Sequence, residues 1–137
     1  MGFVEAVQSY LGGYVKFDGR SPRIMMWWIL LFNLIVFIVA MILDRALGLN
    51  FVLPGPDGTP IPLPYGYIYC LAGLALFLPS LALGFRRLHD RNKSAWWIFI
   101  ALIPIIGAIV LIVWMYFLRG TAGDNRFGPD PLGGKTA

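Results

Sequence analysis

Three short polar clusters hold most of the residues that could do chemistry. Phe17-Asp18-Gly19-Arg20-Ser21 precedes one long uncharged run and Arg86-Arg87-Leu88-His89-Asp90-Arg91 follows another. Residues 120–131 read GTAGDNRFGPDP. In the second cluster, Asp90 lies within a helical turn of Arg86 and Arg87 and can pair with either. His89 is the single histidine. A metal centre needs about three protein ligands, and one His with scattered Asp residues does not form a set. A nucleophile–base pair needs a Ser or Cys facing His89. Cys70 is several turns away along the same predicted helix, and no motif supports Ser94. A pH-sensitive contact through His89 is as weakly indicated as catalysis by His89 and Asp90. Arg86, Arg87, Arg91 and Lys93 together suit lipid phosphates, since each basic group near an anionic leaflet contributes about 1 kcal/mol. In the third cluster, Gly and Pro set turns while Arg126 and Asp130 can pair. A rigid cap over helix ends is the simplest reading, and a docking surface the other. The candidate lipid or partner contacts are therefore Arg20, Arg86, Arg87, His89, Asp90, Arg91, Asn125, Arg126 and Asp130. No catalytic, cofactor or metal site is assigned.

These clusters must be carried by an unusual frame. The chain has 137 residues, 58% hydrophobic and only 13% charged, with a mean hydropathy of +0.73. A soluble domain carries about 25% charge, so too few polar groups exist to cover a folded aqueous surface. The same composition rules out a disordered chain. Bases do not alternate with aromatics along a groove-sized stretch, so nucleic acid is not an expected partner.

Three runs lack any charge: Ile24–Leu43 with 20 residues, Tyr65–Phe85 with 21 and Ser94–Leu118 with 25. A membrane helix needs about 20 apolar residues. Tryptophans and tyrosines stand at the run ends, as rings with a polar handle do at headgroup level. Pro79, Pro104 and Gly107 predict kinks, and Asn33 predicts a hydrogen bond to a neighbouring helix. Cys70, in an apolar stretch, reads as a buried thiol. Phe3, Val7, Tyr10, Leu11 and Tyr14 share one helical face, which predicts a short amphipathic helix in the interface over about 3–16. Gly12-Gly13 weakens its end. Residues 44–64 hold five of the ten prolines and predict an extended, turn-rich loop with a turn at Pro56-Asp57-Gly58.

The expected fold is an all-α membrane protein: three transmembrane helices at about 24–43, 65–85 and 95–118, preceded by the interfacial helix. It forms a single integral membrane domain over 1–131, with a disordered tail at 132–137. No signal cleavage is expected, because the basic residues come late. With three spans, the side of the N-terminus and the 86–93 loop holds seven basic residues. The other side holds Arg45, Arg119, Arg126 and Lys135. The positive-inside rule then places the N-terminus in the cytoplasm and the C-terminus outside. A re-entrant third run would return the tail to the cytoplasm, but 25 residues is short for two legs.

The polar words, in this order, resemble the domain of unknown function 805 family of small bacterial inner-membrane proteins. The matching residues are Phe17, Gly19 and Arg20; Arg86 to Asp90; Trp96-Trp97; and Gly120, Gly123 and Asn125 to Pro131. The resemblance covers roughly residues 15–131. After Asp90 the chain reads Arg91-Asn92-Lys93-Ser94-Ala95 where the family commonly has Thr-Gly-Arg-Ser-Gly. The resemblance implies a multi-pass inner-membrane protein and no known activity. The expected mode of action is association with anionic lipid headgroups, with a second copy as a homo-oligomer, or with a membrane-protein partner. An oligomeric transporter or channel component is the alternative. A membrane enzyme using His89 and Asp90 ranks lower.

Overall fold

The computed structural model describes residues 2–132; the end of the expected tail, 133–137, lies outside them. The elements run α1 (Phe3–Gly12), α2 (Arg23–Leu47), β1 (Asn50–Pro54), β2 (Pro60–Gly66), α3 (Tyr67–Asp90), a 3₁₀ segment (Ala95–Leu102), α4 (Ile106–Ile112) and a π-helical turn (Val113–Phe117). By contacts the chain falls into two compact units, residues 31–77 and the remainder. The helices α2, with 25 residues, and α3, with 24, are long and apolar enough to cross a membrane.

Within residues 31–77, the ends of the two long helices are tied by a carboxylate. Asp44, fully buried, accepts from Ile68 N at 2.8 Å and Tyr69 N at 3.0 Å. It satisfies free N–H groups at the start of α3 and sits where the helix dipole favours a negative charge. Gly48, at φ +68°, stops α2 in the left-handed conformation, and Leu49 N returns to Asp44 O at 2.8 Å. The proline-rich segment is not the irregular loop expected. It is an antiparallel ribbon, with Val52 opposite Pro62, Leu53 opposite Ile61 and Pro54 opposite Pro60. Pro60, Pro62 and Pro64 recur with period two, so the missing N–H donors fall on one edge of β2, the edge a two-stranded ribbon leaves unpaired. The expected turn is present: Gly58 adopts φ +82° and Thr59 N donates to Asp57 Oδ1 at 3.1 Å. The ribbon corrects the all-α expectation. Cys70 is exposed, not buried; a thiol in this apolar helix is solvated by lipid as readily as by protein. Asn33 Oδ1 is buried without a hydrogen-bond partner.

In the remaining residues, α1 ends at Gly12, with Gly13 as its cap, earlier than the predicted residue 16. Its docked face carries buried Ala6 and Tyr10. Tyr10 Oη meets Ser80 Oγ of α3 at 2.6 Å, and Phe3 packs edge-on against Trp28 at 5.8 Å. The α3 helix runs on through Pro79.

The third apolar run departs most from expectation. It is no single helix. Its outgoing leg is the 3₁₀ segment, capped by Ser94 Oγ accepting from Trp96 N. The chain reverses at Pro104-Ile105, where Ile105 has φ 66° and ψ −63° and Ile106 N donates to Pro104 O at 2.7 Å. This is a γ-turn, a strained conformation for a β-branched residue. The return leg is α4 with its π-helical turn. The legs lie against one another: Trp97 meets Trp114 at 5.5 Å, and Gly107 backs so closely onto Ile100 that a Cβ would overlap the Ile100 carbonyl. Gly84 of α3 opens room for Met115 and Ile98, one from each leg. The two ends of the run then come together, with Arg91 Nη1 donating to Arg119 O at 2.6 Å. Eight residues at about 2.0 Å each give a leg of about 16 Å, and twelve at about 1.5 Å give about 18 Å. Each covers about half of a 30 Å hydrocarbon layer. The third expected span is thus a hairpin that returns to its starting side. Leu102 is 78% and Ile105 75% exposed at its tip, surface that only lipid or another apolar chain can solvate.

Candidate functional site

The hairpin brings all three polar clusters to one place. The common device is an arginine whose planar fork captures backbone carbonyls. Helix ends and tight loops leave carbonyls without partners, and near hydrocarbon no water is at hand to satisfy them.

Arg87 is fully buried. Its Nε donates to Met115 O at 2.7 Å, and its Nη2 to Trp114 O at 3.1 Å and to Leu118 O. It closes the C-terminal turn of the hairpin's return leg. Arg23 Nη1 takes Phe117 O at 2.7 Å and Trp27 Nε1 takes Tyr116 O at 2.7 Å. The five carbonyls from Trp114 to Leu118 are all held by cationic or indole donors. Arg20 does the same for the following loop, donating to Thr121 O at 2.5 Å, Gly123 O at 2.7 Å and Gly128 O at 3.2 Å.

Asp90 joins the two. Its Oδ2 lies 2.7 Å from Arg87 Nη1 and its Oδ1 3.0 Å from Arg20 Nη2, and its backbone O accepts Thr121 N at 2.6 Å. Gly120 passes so near this carboxylate that a Cβ would overlap it. Of the two partners expected for Asp90 within α3, Arg87 forms the ion pair. Arg86 turns instead to α1 and the segment after it, donating to Ser21 Oγ at 3.1 Å, Gly13 O at 3.0 Å and Lys16 O at 2.6 Å.

His89, 8% exposed, has Nδ1 at 3.0 Å from Gly19 O. A carbonyl only accepts, so Nδ1 carries the proton. Its ring stacks on Phe127 at 4.1 Å and 7°. Asn125 Nδ2 donates to His89 O at 2.9 Å. Arg126 lies 4.7 Å over the Phe127 ring and reaches Asn92 O. Asp130 Oδ2 accepts Gly123 N at 2.9 Å.

All nine candidate residues therefore belong to one assembly, although about 70 to 108 positions separate many of the bonded pairs. Its geometry is that of a clasp. Asp90 is held by two guanidinium groups, and His89 is fixed by a carbonyl and an aromatic face. Among the described residues no group of three or more His, Cys, Asp or Glu could hold a metal ion. Arg23 and Trp27, which fix the hairpin's end, and Asp44, which fixes α3, were not singled out in the sequence. A lone Asp closing an uncharged run was the one available sign of the last.

Two long apolar helices, a returning apolar hairpin and a polar clasp define a small multi-pass membrane protein. Residues 14–129 match the model of the family described as protein of unknown function (DUF805), and the chain belongs to that family. It is 41% identical over 121 residues to the inner membrane protein YhaH of Escherichia coli K12, covering 88% of this chain and 91% of that one. It is 40% identical over 123 residues to the inner membrane protein YhaI of the same strain, covering 90% and 92%. No solved structure matches. The protein is a bacterial inner-membrane protein.

Proposed function

We propose that this protein acts by association at the cytoplasmic face of the inner membrane, without catalysis, through anionic lipid headgroups and a second copy or another membrane protein. The observation that carries this reading is the placement of charge. With the hairpin returning, nine of the ten described basic residues, Lys16 through Arg126, group with the clasp. Arg45, near the far end of α2, is the exception. Such asymmetry favours a cytoplasmic clasp and N-terminus, where anionic leaflets add attraction. The reactive-looking groups His89 and Asp90 are spent on holding backbone in place. The apolar faces of α2 and α3 remain for lipid or a neighbouring helix, Leu74 being 74% exposed.

Native mass spectrometry after gentle extraction from native membrane, joined to cross-linking before extraction, tests this reading. Retained anionic lipid, a dimer or a membrane-protein adduct is the expected result. Lipid-free monomers with no cross-linked species would contradict it.

A further inference from the structure

Where α1 ends and the chain turns towards α2, a recess of about 300 Å³ opens beside Arg86. That volume is at the small end of ligand sites. Ser9, Gly12, Gly13, Lys16 and Ser21 complete its wall, with Arg20 behind. Arg86 is 4% exposed, and its Nη2 is buried with no hydrogen-bond partner. A guanidinium that lacks one acceptor in an otherwise complete set points to an acceptor supplied from outside. The rest of the wall is rich in donors. Ser21 Oγ already accepts from Arg86 Nε, so its own proton is left to give. Ser9 and Lys16 are exposed at the rim and bring a hydroxyl and an ammonium. Asp18 is the acidic group whose field reaches Arg86. Gly13 keeps the space: a Cβ there would stand 2.8 Å from Arg86 Nη1.

We propose that this recess binds a phosphate group, its oxygens accepting from Arg86 Nη2, Ser21 Oγ, Lys16 Nζ and Ser9 Oγ. Several donors of one sign around a small space suit an anion with several oxygens, and Arg with Lys suits phosphate. The site lies beside an amphipathic helix expected at headgroup level, so the phosphate comes either from a phospholipid headgroup or from solution. The inference deepens the headgroup reading above and rests on it for the lipid source.

The test uses delipidated full-length protein in detergent, titrated in native mass spectrometry with dioctanoyl phosphatidylglycerol, inorganic phosphate or dioctanoylglycerol at matched ionic strength. A saturable one-to-one adduct is expected with a phosphate-bearing probe and none with dioctanoylglycerol. Adducts in both phosphate arms identify a site for the free anion, and an adduct with phosphatidylglycerol alone identifies the headgroup. Ser9→Asp and Lys16→Ala, both at exposed positions, should each weaken the adduct by about tenfold, the loss of one charge-assisted contact, with the unliganded melting temperature unchanged. Absence of a saturable adduct in both phosphate arms would overturn the proposal, as would equal binding by wild type and both variants. If native membranes leave the same lipid on wild type and on Ser9→Asp, association with lipid stands and this site for it falls.

Discussion

Asp90→Ala is expected to destabilise the protein by about 3–5 kcal/mol, the usual cost of removing one partner from a buried ion pair. The size follows from what is left behind. Arg20 and Arg87 have side chains 1% and 0% exposed, and both would lose their only carboxylate while remaining pinned to backbone carbonyls. Asp90→Asn should cost nearly as much, because it keeps the shape and removes the charge. Arg87→Ala should be comparably severe, since Asp90, Trp114 O, Met115 O and Leu118 O all lose a donor. The double variant should cost less than the sum of the two singles, because neither partner then survives alone. Reversible unfolding in mild detergent measures this. A loss below about 1 kcal/mol for Asp90→Ala would place the pair in the ordinary range of exposed salt bridges and remove the clasp from the account.

Gly107→Ala separates two readings of the third apolar run by the sign of its effect. In an ordinary spanning helix the change is favourable by about 1 kcal/mol, because Ala is the better helix former. In the hairpin the new Cβ overlaps the Ile100 carbonyl, and that atom is backbone, which cannot rotate aside. Overpacking of this kind costs about 1–3 kcal/mol and should prise the legs apart at the Trp97–Trp114 contact. The expected result is a lower unfolding midpoint together with altered tryptophan emission. An unchanged or raised midpoint would favour the straight helix.

Much of this was legible along the chain, for physical reasons that also mark where legibility ends. The two long spans follow from uncharged length alone, which is a local property. The end of α1 at Gly12 and the turn at Asp57-Gly58 follow from glycine's backbone freedom, also local. The hairpin was hidden because an uncharged run of 25 residues has the same composition whether it crosses or returns. Pro104 and Gly107 were visible but suggested a kink. The nearly even split of bases that a third span required was a second sign, since a returning run removes it. The ribbon was hidden because five prolines argue against regular structure, until the period of Pro60, Pro62 and Pro64 is set against a strand's own period of two. All nine candidate residues were visible as types. That Arg20, Asp90 and Thr121 meet is a long-range fact that no local pattern carries, and so lipid anchoring was the expected role for charges that in the fold hold backbone.

The claim on which the rest depends is that the third apolar run returns to the side from which it leaves. Paired sidedness reporters test it most directly: an enzyme active only in the cytoplasm, and one active only outside it, fused in turn to the N-terminus and after Leu132. The account predicts that the cytoplasmic reporter is active at both ends and the external one at neither. Activity of the external reporter after Leu132, with the N-terminus cytoplasmic, would mean that the run crosses the membrane, and the clasp could not form as described.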